Sequence, residues 1–427
     1  MSKVRFQDIV KQKDGFLRGP FGGDLKKDIF VEKSCDTYKV YEQGVVLNND
    51  ESIGRYYISN DYFKKKMYRF EVKPKDFLVS CSGVNYGAIH QLSENIEKGV
   101  INQALLRIRL DSEKVDDNYF YYLFKALIVN MIVGKKGDST IPNFPPLSVI
   151  KALEFELPEK DYQIQIGRLL SHLDNKIELN NRINAELETM AKTLYDYWFV
   201  QFDFPDANGK PYKTSGGTLV YNPTLKREIP EGWEASNVLK VAHLLGGGTP
   251  TKTKKEYWNG AIPFFTPTDS DKNIFSVETE DYITAEGLKK SSTRLFEPYT
   301  VFITARGSVG RLALNAVPMA MNQSCYALRA KDGISYTFLF FLIKELIHHL
   351  EVKASGSVFN SIVSNDIEYT NLALPSDTTL MEKYAAIVEP IFEKIESTTK
   401  ENKKLSSLRD WLLPMLMNGQ VTVGEAS

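Results

Sequence analysis

Cysteine is scarce in this sequence of 427 residues, which contains only Cys35, Cys81 and Cys325. They lie far apart and outside any Cys-x-x-Cys or Cys/His cluster, so no disulfide framework or zinc site is indicated, as is usual in a reducing compartment. The N-terminus lacks the apolar core of a signal peptide. The most apolar run, residues 338–343, is far too short to span a bilayer. We therefore expect a soluble cytoplasmic protein without a membrane partner.

Sequence motifs of self-contained enzymes are also missing. There is no GxxxxGK[ST] phosphate loop and no HExxH metal motif, and the five histidines are scattered. Lys and Arg number 53 against 54 Asp and Glu, giving a net charge of −1. A nucleic-acid site would therefore have to be a local basic patch. We expect no catalysis by this chain alone and no metal site.

One pattern occurs twice, at a nearly constant offset. The segment Leu153-Glu-Phe-Glu-Leu-Pro158 is matched by Thr370-Asn-Leu-Ala-Leu-Pro375, and the aromatic segment at 119–124 is matched at 336–341. Farther upstream, Ile101-Asn-Gln is matched by Met321-Asn-Gln, and a glycine turn at 83–87 is matched at 307–310. Such self-similarity indicates a tandem duplication of one globular domain followed by one helix.

After each globular half, apolar residues recur at alternating steps of four and three. A mean spacing of 3.5 residues is typical of a coiled-coil seam, in which a buried asparagine costs stability but sets the register. Two matched seams in one chain predict that each helix is the partner of the other. The alternative is two unrelated amphipathic helices packed on separate cores. The predicted seam residues are Leu173, Ile177, Asn180, Asn184 and Leu187 in the first helix, and Ile391, Ile395, Asn402, Leu405 and Leu412 in the second.

Within each half, short alternating segments predict strands and one interrupting helix, giving a mixed α/β or α+β fold. Strands are expected at 76–81, 105–110, 301–304 and 326–329, with helices near 117–133 and 335–350. A Pro- and Gly-rich linker should separate the halves, and its aromatic residues suggest that it packs. The predicted domains are 1–156, a helix at 157–201, the linker at 202–232, a second domain at 233–373 and a helix at 374–427.

Several loops combine lysines with hydroxyl side chains, which suit phosphate oxygens. Each of them could equally be a solvated loop, but basic loops in both halves together favour DNA, because affinity for DNA sums many phosphate contacts. The candidates for phosphate contacts are Lys64, Lys65, Lys135 and Ser139 in the first half, and Thr249, Lys252, Lys254 and Lys255 in the second.

The two glycine turns carry side chains that could reach base edges, since Arg reads guanine and Asn reads adenine. These candidates are Asn85 and Tyr86 in the first half, and Arg306, Ser308 and Arg311 in the second. The repeated Asn102-Gln103 and Asn322-Gln323 pairs are alternatives, although side-chain amides more often satisfy backbone groups.

The whole chain resembles the specificity subunits of type I restriction–modification systems. The resemblance rests on FDFPDANGKPY and LKREIPEGW after the first helix, Gly247-Gly-Thr-Pro250 with Tyr257-Trp-Asn-Gly260, and Gly19-Pro-Phe-Gly-Gly-Asp24. Asn184-Ala-Glu-Leu187 is similar to the short helical repeat of that family's spacer.

The resemblance implies two target-recognition domains, each reading one half of a split, asymmetric site in double-stranded DNA. It implies that the two helices pack antiparallel and recruit two modification subunits, which use S-adenosylmethionine to methylate adenine. Restriction subunits would add ATP- and Mg-dependent translocation and cleavage, so this chain would bind no cofactor itself. The alternatives are a DNA-recognition module of another methyltransferase or nuclease system, and a coiled-coil scaffold that does not bind DNA.

Overall fold

In the computed structural model the chain forms two compact units, described over residues 2–83, 85–133, 144–270, 273–354 and 361–424. The first unit comprises Met1–Asn175 together with Leu405–Ser427, and the second comprises Lys176–Lys404. Both boundaries fall within two long helices, Lys160–Tyr195 and Thr379–Met417. Each unit therefore combines one globular β-rich half with part of both helices.

The first unit contains two four-stranded sheets. One is antiparallel, in the order Phe16–Arg18, Leu105–Ile108, Phe77–Ser80, Ile89–Gln91. The other has the order Phe30–Val31, Tyr57–Ser59, Thr37–Tyr41, Gly99–Ile101, and its last two strands are parallel. The strands predicted at 76–81 and 105–110 are confirmed.

The core of the first unit lies between its antiparallel sheet and the aromatic helix predicted near 117–133. This helix runs through Asp117–Leu123, a wider turn at Phe124–Ile128, and Val129–Val133. The Asp116 carboxylate starts it by accepting a 2.9 Å hydrogen bond from the Tyr119 N–H. The shorter helices of the described part of this unit are Gln43–Asn48, Asn60–Tyr62 and Leu147–Lys151.

The second unit repeats this plan. A five-stranded sheet has the order Ala242–Gly246, Cys325–Ala330, Val301–Thr304, Leu312–Asn315, Phe275–Ser276, and a three-stranded sheet has the order Asp281–Ile283, Trp258–Phe265, Ala320–Met321. The predicted helix near 335–350 is Tyr336–Lys353, packed on the larger sheet. Two short helices, Ala285–Lys289 and Ser364–Tyr369, complete the described part.

Two details of topology recur in both units. The segments repeated in the sequence form the closing strands Glu154–Leu157 and Leu372–Pro375, and each pairs antiparallel with the strand that opens its half, Ser2–Arg5 or Trp233–Ser236. One sheet of each unit contains a parallel strand pair that ends just before the Asn-Gln turn, formed by Thr37–Tyr41 with Gly99–Ile101 and by Trp258–Phe265 with Ala320–Met321. The duplication seen in the sequence is therefore a duplication of the fold.

The segment at 202–232 belongs to the second unit and packs against the rest of it, as its aromatic residues suggested. It contains a hairpin of Leu219–Asn222 with Arg227–Pro230. The Phe204 ring stacks on both Tyr212 and Trp233, with centroids 4.7 and 5.6 Å away. The first long helix ends before this segment in a wide turn at Asp196–Val200.

The two long helices pack antiparallel through polar as well as apolar layers. In the second unit the Asn180 amide donates to Asn402 Oδ1 at 2.8 Å, and Asn184 accepts a hydrogen bond from the Thr398 hydroxyl. Farther along, the Tyr384 hydroxyl donates to the Ala191 carbonyl at 3.0 Å. From Asn180 to Ala191 the residue numbers of the first helix rise, while those of their partners on the second helix fall from 402 to 384. The helices therefore run in opposite directions.

The remaining seam residues of both helices are half-buried or buried. Within the first unit, Arg409 of the second helix donates to Asp174 of the first at 2.6 Å. Across the described ranges, no helix has the length and apolar character needed to cross a membrane.

Candidate nucleic-acid interface

In each unit a glycine-rich loop lies directly on the repeated Asn-Gln turn. A Cβ atom on Gly19 would collide with the Asn102 carbonyl, and one on Gly247 would collide with the Asn322 carbonyl. Only glycine allows these close approaches. The Gly19 N–H also donates to the Leu105 carbonyl at 2.9 Å, which fixes the first loop at its start.

The two amides of the Asn-Gln turn have different environments. The side-chain oxygens of Asn102 and Asn322 each accept a 3.0 Å hydrogen bond from the backbone N–H two residues later, so the asparagines stabilise the turn. The following Gln103 and Gln323 are exposed. In the second unit, the Thr249 hydroxyl of the glycine loop donates to the Gln323 side chain.

The glycine turn predicted to carry base-reading residues lies beside the same Asn-Gln turn. Gly83 and Gly87 have φ values of 81° and 90°, and Gly307 and Gly310 have 85° and 83°, so both turns use two glycines in the left-handed region. The residue before the turn is Ser82 in the first unit and Arg306 in the second, where its N–H donates to the Ser324 carbonyl at 3.2 Å. Three loops are thus gathered at one place in each unit.

In the first unit these loops border a cleft of about 860 Å³, which we call the first-unit cleft. Three cationic side chains and one carboxylate, that of Asp24, line it, so its charged groups are predominantly positive. An exposed phenylalanine, the half-buried Phe70 and the exposed glutamine of the turn also line it. The cations, the exposed phenylalanine and the glutamine are the groups suited to DNA. These residues are Arg18, Lys66, Arg69, Phe21 and Gln103. The cleft therefore combines cations for phosphate oxygens with apolar and amide groups for bases.

A buried ionic network supports the wall of this cleft. The guanidinium of Arg107, which is 1% exposed, donates to the backbone carbonyls of Arg69 and Glu71 and to the Asp14 carboxylate. Burial lowers the pKa of Arg107, and the neighbouring charge of Arg109 adds to this effect. Arg107 lies in the antiparallel sheet and forms hydrogen bonds to the backbone on both sides of residue 70. It therefore attaches the segment that bears Arg69 to that sheet.

Of the residues predicted in the first half, few lie at the cleft. Lys64 and Lys65 are exposed on the turn Phe63–Met67, but the side chain that lines the cleft is that of their neighbour Lys66. Asn85 is exposed, whereas the Tyr86 ring packs edge-on against Phe144 with centroids 6.3 Å apart. Lys135 and Ser139 lie outside the described residues. Arg18, Phe21 and Arg69 were not selected from the sequence.

The loop predicted to bind phosphate in the second unit lies at its surface. Lys252, Lys254 and Lys255 are exposed, and Thr249 is half-buried. The Lys254 ammonium lies 5.1 Å from the centre of the Tyr257 ring and 3.2 Å from its hydroxyl, and this hydrogen bond raises the pKa of Lys254. One lysine of the three is therefore held in place by its own loop.

Arg311 from the second glycine turn lines a cleft of about 670 Å³ in the second unit. Its guanidinium donates to the Ser270 carbonyl at 3.1 Å, while Lys344 in the same cleft is paired with Glu188 at 2.8 Å. Arg306 is exposed on the same turn, and the Ser308 carbonyl accepts a hydrogen bond from the Thr304 hydroxyl. The three residues predicted to read bases in this half, Arg306, Ser308 and Arg311, thus lie on or directly beside one turn.

The described side chains contain no group of three or more His, Cys, Asp and Glu residues that could hold a metal ion. The side chains that line the first-unit cleft are cations, one carboxylate, an amide, a hydroxyl, and apolar groups that include the rings of Phe21 and Phe70.

The family model for the type I restriction modification DNA specificity domain matches the chain twice, at residues 89–189 and 230–407. The chain belongs to this family of specificity subunits. It is the subunit that recognises DNA sites in a type I restriction–modification system, and the subunit itself is non-catalytic. The two matches cover the first globular half from residue 89 onward, the second globular half, and parts of both long helices.

Two relatives extend the similarity over most of the chain. The type I restriction enzyme MjaIX specificity subunit of Methanocaldococcus jannaschii is 27% identical, over 88% of this chain and 84% of its own length. The HindI specificity subunit of Haemophilus influenzae is 23% identical, over 93% and 98%. The crystal structure of the type I restriction–modification S subunit from M. genitalium has the same fold, with a TM-score of 0.59 and 17% identity over 97% of this chain and 95% of that one.

Proposed function

We propose that this specificity subunit reads a DNA site made of two different half-sites separated by unread bases, with one half-site bound by each globular half. The observation that carries this proposal is the duplicated cluster of three loops, which is anchored on the same Asn-Gln turn in both units and carries different side chains. Phe21 in the first glycine loop corresponds to Thr249 in the second, and Ser82 before the first glycine turn corresponds to Arg306. A shared anchor with different side chains suits two related surfaces that read different bases.

Charge supports DNA as the ligand of these surfaces. The chain as a whole has a net charge of −1, yet Arg18, Lys66 and Arg69 line one cleft of the first unit. In the second unit, Lys252 and Lys255 are exposed beside the glycine loop. Several cations at one surface supply the phosphate contacts that dominate affinity for DNA.

The long helices are the proposed docking sites for two modification subunits, which would carry S-adenosylmethionine and methylate adenine. Exposed apolar residues on these helices support this assignment. In the first unit Trp411 is 55% exposed and Leu408 is 44% exposed, and in the second unit Met190 is 59% exposed and Ile387 is 48% exposed. Large apolar side chains exposed on helices are typical of surfaces that a partner covers. Restriction subunits would then add ATP- and Mg-dependent translocation and cleavage.

A domain exchange tests the partition of specificity. Residues 1–156 are replaced by the matching domain of another specificity subunit, and the chimera is produced with the cognate methyltransferase subunit. Sequencing of modified bases in the host DNA should then show one half-site replaced and the other retained. The reciprocal exchange of residues 233–373 is the matched control and should alter the opposite half-site. A chimera with both half-sites altered, or with neither altered, would contradict the proposal.

A further inference from the structure

Phe21 is the most exposed of the large apolar side chains in the described part of the chain, at 90%. It lies in the glycine loop at the rim of the first-unit cleft. Single exposed apolar residues are common at protein surfaces and need no explanation on their own. The position of this residue relative to fixed backbone and to charge sets it apart.

The loop that carries Phe21 is anchored at both ends. At its start, the Gly19 N–H donates to the Leu105 carbonyl at 2.9 Å. At its end, the Tyr62 hydroxyl donates to the Asp24 carbonyl at 2.6 Å, and the Asp24 N–H donates back to the Phe21 carbonyl at 2.9 Å. The phenyl ring is therefore presented from a well-supported backbone, and ordering such a ring on binding costs little entropy.

Three cations line the same cleft as the ring, namely Arg18, Lys66 and Arg69. The chain segment of Arg69 is itself held by the buried guanidinium of Arg107. The cations outnumber the one carboxylate of the cleft, that of Asp24. An apolar side chain beside a surplus of cations fits a polyanion whose interior is apolar, and duplex DNA is such a ligand. Its phosphates would meet the cations, and its base edges or stacked faces would meet the ring.

The second unit has no ring at the corresponding position. Thr249 occupies it, and the Thr249 hydroxyl is engaged with Gln323 of the Asn-Gln turn. The exposed glutamine and the glycine close to the turn are common to both units, so they do not distinguish one half-site from the other. The ring is one of the features that do.

We propose that Phe21 is a specificity-determining residue, which enters the groove of the first half-site and packs against its bases, while Arg18, Lys66 and Arg69 hold the flanking phosphates. This inference rests on the proposed function, since it names a residue that reads one of the two half-sites. Apolar contact with a thymine methyl group and insertion of an apolar side chain at a flexible base step both give sequence preference without a hydrogen bond.

The test compares Phe21→Ala with the unchanged chain, each produced with its cognate methyltransferase subunit. Sequencing of methylated bases in the host DNA first defines the wild-type site. In the Phe21→Ala complex, one position of the half-site read by residues 1–156 should become degenerate, and the other half-site should keep its sequence. On purified complexes, the Kd for a duplex altered at that position is divided by the Kd for the wild-type duplex. This ratio should be about tenfold smaller for Phe21→Ala than for the unchanged chain, which is within the usual effect of one mismatched base pair.

Three further measurements separate base contact from other roles. The slope of log affinity against log salt should be unchanged, because the substitution removes no charge. The melting temperature should be unchanged, because the ring is 90% exposed. Phe21→Trp should retain the methylated motif, and Leu47→Ala, which alters a 40% exposed residue of the same unit that does not line the cleft, should behave as wild type.

An unchanged motif and an unchanged Kd ratio in Phe21→Ala would overturn the inference while leaving DNA recognition by the unit intact. A wild-type complex that methylates no defined site and binds no duplex preferentially would instead refute the proposed function itself. The two failures are therefore distinguishable.

Discussion

Inserting Asn-Ala-Glu-Leu after Leu187 should lengthen the unread gap of the DNA site without changing either half-site. Four residues add about 6 Å to a helix and turn it by about 400°, so that its faces are nearly restored. At roughly 3.4 Å per base pair, the added length corresponds to one or two base pairs. If helix length sets the gap, the methylated motif should widen by that amount.

The contacts in the second unit indicate that this insertion keeps its polar layers. Asn184 faces Thr398, and Asn180 faces Asn402. After the insertion, the new asparagine takes the place of Asn184, and Asn184 takes the place of Asn180. Both hydrogen-bonded layers can therefore form again, and the four-residue stutter is absorbed by local unwinding.

The first unit, in contrast, loses its register when only one helix is lengthened. Asp174 moves one helical turn away from Arg409, with which it is paired at 2.6 Å, and the second helix can no longer seat Leu416 and Met417, which are 1% and 6% exposed. Two buried apolar side chains contribute about 1.5–3 kcal/mol each, and a partly exposed ion pair contributes up to about 1 kcal/mol. The summed loss of about 3–7 kcal/mol approaches the stability of a whole domain.

A second insertion of Asn-Lys-Lys-Leu after Leu405 should restore this register, because it returns Arg409 to Asp174 and places a new asparagine opposite Asn180. The single and paired variants are compared by melting temperature and by the methylated motif. The single variant should melt well below wild type, and the paired variant should melt near it and methylate a site with a wider gap. A paired variant that keeps the original gap at full activity would refute the idea that helix length sets the distance between the two half-sites. A single variant as stable as wild type would refute the register assignment.

Two further predictions concern charge and thiol chemistry. Replacing the second-unit loop lysines at 252, 254 and 255 with glutamine should weaken binding to all duplexes alike and flatten the salt dependence of affinity, whereas an unchanged slope would assign them to a solvated loop. Burial raises the pKa of the Cys81 and Cys325 thiols to about 12, so only about one in ten thousand is a thiolate at pH 8. Titration of the folded chain with Ellman's reagent should therefore show one fast thiol, the exposed Cys35, which Cys35→Ser should remove; more than one fast thiol would contradict the assigned burial.

Periodicity and repetition predicted most of the fold, because both depend on local spacing. A 3.5-residue seam specifies a face of a helix whatever surrounds it, and alternating residues such as those at 301–304 specify a strand. The repeated segments then implied that whatever the first half forms, the second half forms too.

The composition of the first-unit cleft was not predictable in this way. Arg18, Phe21 and Gln103 meet because Phe16–Arg18 pairs with Leu105–Ile108, and no local pattern reveals this pairing. The lysine run drew attention to Lys64 and Lys65, yet the turn places Lys66 at the cleft. Phe21 was noted only as part of the Gly19–Asp24 motif, and nothing in the sequence indicated that its ring is exposed, since a phenylalanine is most simply interpreted as part of a core.

The first unit is built from two stretches of chain that are synthesised far apart in time. Its core contains Leu416 and Met417, and the Tyr162 hydroxyl donates to the Val421 carbonyl at 2.9 Å. The second unit is continuous and can fold as it leaves the ribosome, whereas the first must wait for the segment after Leu405. A chain released early, at a premature stop codon or by a stalled ribosome, would keep a finished second recognition surface beside an unfinished first one. The apolar surface that Leu416 and Met417 normally cover would then be exposed, and such surface makes an incomplete chain prone to aggregation.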